Sequence, residues 1–223
     1  MSVAALLDGL STANIADACD HVGVPCRYLS KQLRYTHGEK FWGYADTVMW
    51  GPTRKGSEII KPSPSTWQDV GAFVADIKDD GTQKVYVAGC REISDEYVLA
   101  GGMSLTFIEK RRYQAAILFG AVRDYEEIKR LSIPVWYSNL AVMDSQGCMK
   151  VESRGAGCLF SGHWIAQNDL IVGDANGVIC VGINDVEKVL SRAQDIKHIE
   201  DDVLAKIQSG LDLFELVNKG GHI

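Results

Sequence analysis

Nowhere in this chain is there an apolar run approaching the ~20 residues that a membrane-spanning helix requires. Runs such as Ala115 to Phe119 and Leu170 to Val172 are far shorter. The opening residues, MSVAALLDGL, lack the basic segment of a secretory leader and run straight into a helix-like pattern, so they are expected to belong to the mature protein. The cysteines at 19, 26, 90, 148, 158 and 180 form no CxxC pair. A chain of this size needs no disulfide staples, and reduced core thiols in a cytoplasmic protein are the simpler expectation. A basic excess is absent as well: 29 acidic residues face 23 basic ones, for a net charge of −6. That balance argues against a nucleic-acid partner. The densest basic cluster, Lys110-Arg111-Arg112, reads as a solvated helix end. With no repeat and no linker, residues 1–223 are expected to form one domain.

What is present is apolar content of 46%, enough for a substantial core, in an α/β pattern. Residues 3–22 predict two short helices, Val3 to Leu10 and Ala13 to His21, the second capped by Ser11. Trp42 to Trp50 predicts a strand, 51–65 a loop, 67–78 a helix, and Lys84 to Ala88 a short strand. Residues 95–112 form a long amphipathic stretch interrupted by Gly101-Gly102. QAAILFG, AVRDYEEIKRL and SIPVWYS predict a strand, helix and parallel strand. Residues 144–183 are β-rich. From Asn184 onward a long helix is expected, with Asn184 and Glu187 as its capping pair and an apolar stripe from Val186 through Ile207. As an arm over 184–219, it would pack on a neighbouring subunit.

Two segments can carry chemistry. Gly120-Ala121-Val122-Arg123-Asp124 follows a buried strand, the place where open parallel sheets bind ligands. Arg123 offers a planar fork to a carboxylate, and Asp124 offers a hard oxygen to Mg²⁺ or Mn²⁺. The alternatives are an Arg-Asp surface pair, or an aspartate capping the next helix. Gly101-Gly102-Met103-Ser104 is the second candidate: at a helix start its amides would receive an anion, and as a hinge between two helices they would not.

The order STANIADACDHVG, GGMSL, FGAVRDYEEIKRLSIPVWY, QNDLIVGDANGVICV and a C-terminal helix resembles the RraA-like family, which includes 4-hydroxy-4-methyl-2-oxoglutarate aldolases, over nearly the whole chain. The resemblance implies a swivelling β/β/α fold with N-terminal helices, a homotrimer or hexamer, and a site between subunits. It also implies a class II lyase in which a divalent metal and an arginine hold the pyruvate portion of a small 2-oxo acid, and cleavage passes through an enolate. By that resemblance Gly101, Gly102, Met103 and Ser104 bind substrate, Arg123 binds substrate and acts in catalysis, and Asp124 acts in catalysis and ligates the metal.

Two positions depart from the family's pattern. Where an acidic residue usually stands twenty-one positions before the arginine, this chain has Gly102, and where an aspartate precedes the glycine of the turn it has Phe119. Asp95, Glu96 or a neighbouring subunit's Glu200 are candidates to supply the missing carboxylate. Asp17 matches a family segment that lines the pocket, and is equally readable as a solvent-facing helix residue. His37 and His163 have useful acid-base chemistry but sit in no motif. Retro-aldol cleavage and oxaloacetate-type decarboxylation share the enolate, so the residues do not choose between them. A repurposed fold in a specialised pathway, its pocket made less polar by Phe119, and a non-catalytic binding or regulatory protein are the alternatives.

Overall fold

The apolar runs in the middle of the chain become parallel strands whose residues are buried on both faces, as such strands require. The computed structural model describes residues 2–54, 71–75, 77, 80–210, 212 and 214. In chain order the strands are β1 (Arg27–Tyr28), β2 (Arg34–Tyr35), β3 (Phe41–Pro52), β4 (Lys84–Cys90), β5 (Ser94–Ala100), β6 (Ala115–Leu118) and β7 (Gly120–Val122). They continue as β8 (Val135–Tyr137), β9 (Met143–Asp144), β10 (Met149–Arg154), β11 (Cys158–Phe160), β12 (His163–Ile165), β13 (Leu170–Asp174) and β14 (Gly177–Val181). The helices are α1 (Val3–Leu6), α2 (Thr12–Val22), α3 (Ala72–Ala75), α4 (Gly102–Lys110), α5 (Tyr125–Ile128) and α6 (Val186–Gln208).

The elements fall into two compact units, Arg27–Ile183 and the pair of segments Met1–Cys26 and Asn184–Ile223. The first unit holds all the described strands. Its main sheet runs β1-β14-β13-β3-β4-β6-β8-β2, with β3, β4, β6 and β8 parallel. Strand β3 is long enough to serve two neighbours on one edge: Phe41 to Tyr44 pair with β13, and Val48 to Pro52 pair with β10. A second, three-stranded parallel sheet runs β7-β5-β9, and β11 and β12 form a hairpin.

The second unit contains α1, α2 and α6. Ser11 opens α2 with a reciprocal cap, its hydroxyl accepting from the Asn14 amide at 3.2 Å while Asn14 Oδ1 accepts from the Ser11 amide at 3.0 Å. Helix α6 buries Val186, Leu190, Ala193 and Ile196 of the expected stripe, but Ile199 and Ile207 are exposed.

Several expectations need correction. Residues 94–112 are a strand followed by a helix: alternation from Ser94 to Ala100 serves the small parallel sheet, and the glycine pair marks the change of period. The segment AVRDYEEIKRL is not one helix, because Gly120–Val122 forms a strand of that same sheet and only Tyr125–Ile128 is α-helical. Asn184 does not cap α6; a 3₁₀ turn over Ile183–Asp185 leads into it, and Asp185 sits at the cap without a side-chain bond. The first helix stops at Leu6, short of Leu10. The loop expected over 51–65 begins later, since β3 continues through Pro52, and positions 55–65 lie outside the described residues. Of the expected helix 67–78, Ala72–Ala75 is helical, while 67–70, 76 and 78 lie outside the described residues. Of the expected arm 184–219, the described helix ends at Gln208 and positions 211, 213 and 215–219 lie outside the described residues.

Candidate active site

Parallel pairing brings the two candidate segments together. Strands β5 and β7 place Ala100 opposite Val122, so Gly101-Gly102 and Arg123-Asp124 emerge side by side at the carboxyl ends, with the Arg123 amide donating to the Ala100 carbonyl at 3.4 Å. On the other edge of β5, Asp144 of β9 lies opposite Val98 and brings another carboxylate to the same cleft.

Asp124 holds the left-handed backbone conformation, φ 63° and ψ 46°, which aspartate tolerates better than most residues. It precedes α5 but makes no side-chain cap there. Its Oδ2 instead accepts a hydrogen bond of 3.0 Å from the amide of Gly102, the first residue of α4. A carboxylate at a helix N-terminus is electrostatically favourable. The glycine pair is therefore a helix start and not a hinge between helices, and one of the amides expected for an anionic ligand is already held by the protein. The Gly101 amide is also held, by Ser104 Oγ at 3.0 Å. Met103 and Ser104 lie in the first turn, before the intrahelical bond from Leu105 to Gly101 begins the ladder.

Arg123 lies between two acids, its Nε 3.9 Å from Asp124 Oδ2 and its Nη1 3.4 Å from Asp144 Oδ2. All three side chains are 37 to 43% exposed, so their charges stay within reach of a ligand. They line a cleft of about 390 Å³ together with Ser145 and Gln146. Phe73, Val74, Val98, Leu99 and Phe107 add an apolar lining to it.

Crowding explains both glycines. A Cβ at position 101 would lie 2.8 Å from Asp124 Oδ2 and 3.3 Å from Arg123 Cγ. A Cβ at 102 would lie 2.1 Å from Glu127 Oε2 and 3.1 Å from Asp124 Cβ. Asp144, which lines the cleft, and Glu127, which lies against Gly102, are residues that sequence reasoning missed. The three-residue spacing of Asp124 and Glu127 across a helix start was a usable signal. Asp144 reaches the cleft through the register of β9, which no local pattern announces.

The remaining candidates lie elsewhere. Asp95 and Glu96 line a separate cavity of about 520 Å³ with Trp50, Cys90 and Tyr97. In the helical unit, Glu200 Oε2 accepts from Asn14 Nδ2 at 2.6 Å, and the exposed Asp17 lines a cavity of about 250 Å³ with His21 and Arg192. His37 precedes β3, and His163 is in the β11–β12 hairpin. Phe119 is buried and packs on Phe160 with ring centroids 5.1 Å apart, so it belongs to the core and is not what makes the cleft apolar.

Among the described residues no group of three or more His, Cys, Asp and Glu side chains could hold a metal. The hard oxygens at the cleft nevertheless fit Mg²⁺, which keeps several waters and is commonly bound through one or two carboxylates plus the substrate. Asp124 offers such an oxygen beside Arg123.

The Aldolase/RraA (RraA-like) family model matches residues 12–180. An uncharacterized protein of Methanocaldococcus jannaschii is 24% identical over 157 residues, covering 69% of this chain and 73% of that protein. Among solved structures, an uncharacterized protein from Pseudomonas syringae pv. tomato matches with a TM-score of 0.78 and 19% identity, over 96% of this chain and 95% of the other. RraAS2 of Streptomyces coelicolor, described as an unusual member of the RNase ES inhibitor RraA protein family, matches with a TM-score of 0.71 and 17% identity, over 89% of this chain and 93% of its own. The βαβ core, the paired strand ends carrying Gly101-Gly102 and Arg123-Asp124, and the match over residues 12–180 together make this chain a member of the RraA-like family.

Proposed function

We propose that the chain is a divalent-metal-dependent carbon-carbon lyase acting on a small 2-oxo acid, by retro-aldol cleavage or oxaloacetate-type decarboxylation. The observation that carries this reading is the guanidinium of Arg123 beside the carboxylate of Asp124 at the edge of a cleft of ligand size. Arg123 presents a forked donor to the substrate carboxylate and fixes its orientation. Asp124, anchored through Oδ2 by the Gly102 amide, is the residue that would hold Mg²⁺ or Mn²⁺. The bound cation would supply Lewis-acid stabilisation of the negative charge developing on the enolate oxygen. Met103 and Ser104, in the first turn of α4, line the same cleft and would contribute to binding the anionic substrate.

Phe73, Val98, Leu99 and Phe107 favour a second reading of the substrate. An apolar lining in the cleft that holds Arg123 suits a 2-oxo acid whose far end is uncharged, processed by the same machinery in a specialised pathway. Met103, Val142 and Met143 are largely exposed apolar residues, which supports assembly with further copies of the chain as a trimer or hexamer. The test is pyruvate formation from 4-hydroxy-4-methyl-2-oxoglutarate, from oxaloacetate and from a 4-hydroxy-2-oxo acid with an aromatic 4-substituent, each with Mg²⁺, Mn²⁺ or EDTA. Metal-dependent pyruvate from any of them supports the lyase, and the preferred substrate decides between the two substrate readings. No pyruvate from all three would favour the non-catalytic binding reading.

A further inference from the structure

We infer that Glu127 supplies the second carboxylate of the cation site, working with Asp124 in place of a side chain at position 102. The inference rests on the metal-dependent reading above. The spot where a side chain at 102 would begin lies 2.1 Å from Glu127 Oε2 and 3.1 Å from Asp124 Cβ, so the Glu127 carboxylate occupies the space that Gly102 leaves empty. Both acids sit on one short element, with the Glu127 amide donating to the Asp124 carbonyl at 3.0 Å. One turn of helix therefore fixes their relative position.

Charge points the same way. Glu126 is paired with Lys129 at 2.6 Å, whereas among the described residues Glu127 has no cationic partner. Asp124 and Asp144 both pair with Arg123, so Glu127, lying against Gly102, adds negative charge beside Asp124 that a divalent cation would neutralise. Asp95 and Glu96 line another cavity, and Glu200 is bonded to Asn14. Two carboxylates with water completing the shell match the coordination Mg²⁺ ordinarily takes.

The experiment is Mn²⁺ binding to the full chain, read from loss of the free-ion electron paramagnetic resonance signal, for wild type, Glu127→Gln, Asp124→Asn and the pair Gly102→Asp/Glu127→Ala. Circular dichroism checks that each variant is folded. Wild type should bind Mn²⁺, Glu127→Gln should bind about 10- to 100-fold more weakly, and the double variant should recover at least part of that loss. Wild-type affinity in Glu127→Gln would overturn the role of Glu127 while leaving Asp124 as the metal ligand. Absence of Mn²⁺ binding in wild type would overturn the metal site itself, and this inference with it.

Discussion

The amide of Gly102 donates to Oδ2 of Asp124, tying the first residue of one helix to the turn that leads into another. This bond connects the two segments across the ends of β5 and β7 and fixes the carboxylate beside Arg123. Small intrusions here should therefore act on turnover more than on stability. Gly101 has an extended backbone, φ −116°, that alanine also adopts, yet an added methyl would press on Asp124 and Arg123. Gly101→Ala is expected to lower kcat/KM by about 100-fold, the usual consequence of displacing a positioned group by about 1 Å, with little change in Tm. Steady-state kinetics with a parallel thermal melt checks both halves.

Asp144 already pairs with Arg123, its Oδ2 lying 3.4 Å from Nη1, and on the proposed function would compete with a substrate carboxylate for it. The pair is substantially exposed, so its worth is about 0–1 kcal/mol. Asp144→Asn should lower KM for an anionic 2-oxo acid by up to about fivefold while leaving kcat nearly unchanged. A rise in KM would instead make Asp144 a substrate contact.

Away from the cleft, Arg154 donates to the buried Asp46 at 2.5 Å and to the Phe73 carbonyl at 2.7 Å, thereby linking β10, β3 and the apolar lining. Tyr113 also donates to Asp46, and Gln167 Nε2 approaches its other oxygen at 3.3 Å. Arg154→Ala leaves a buried carboxylate without its cation and should destabilise the protein by about 3–5 kcal/mol. Urea unfolding measures it.

Burial pushes the Tyr113 and Tyr86 hydroxyls well above the ordinary tyrosine range, with the Asp46 charge adding to the effect at both. It likewise pushes the thiols of Cys90 and Cys158 up to about 12. A raised folded-state pKa means that the unfolded chain loses its proton first. Stability is thus fully present below about pH 8.5, begins to fall as unfolded cysteines ionise, and falls more steeply above about pH 10, by about 1.4 kcal/mol per pH unit for each group then titrating. Denaturation midpoints between pH 7 and 11 should follow that slope, and Tyr113→Phe should flatten its upper part.

The parts of the fold legible in the sequence are those where local pattern and tertiary role coincide. Ser11 caps α2, the apolar run Ala115–Leu118 is a buried parallel strand, and Asp174–Gly177 turns one hairpin strand into the next. The small sheet β7-β5-β9 was not legible, because Gly120–Val122 is three residues long and is held by pairing with Ser94–Ala100, far away in the chain. The same long-range pairing hid Asp144. Phe119 stands beside a motif and reads as a pocket residue, but it lies in the bend between β6 and β7 and packs into the core against Phe160.

Whether Arg123 and Asp124 form a metal-dependent 2-oxo acid site is read most directly from the rate of pyruvate formation by wild type and Asp124→Asn at saturating Mg²⁺ and after EDTA. Such a site should form pyruvate at a rate that EDTA removes, that added Mg²⁺ restores, and that falls by at least about 1000-fold in the folded variant. Equal rates in wild type and Asp124→Asn, or pyruvate formation indifferent to EDTA, would contradict it.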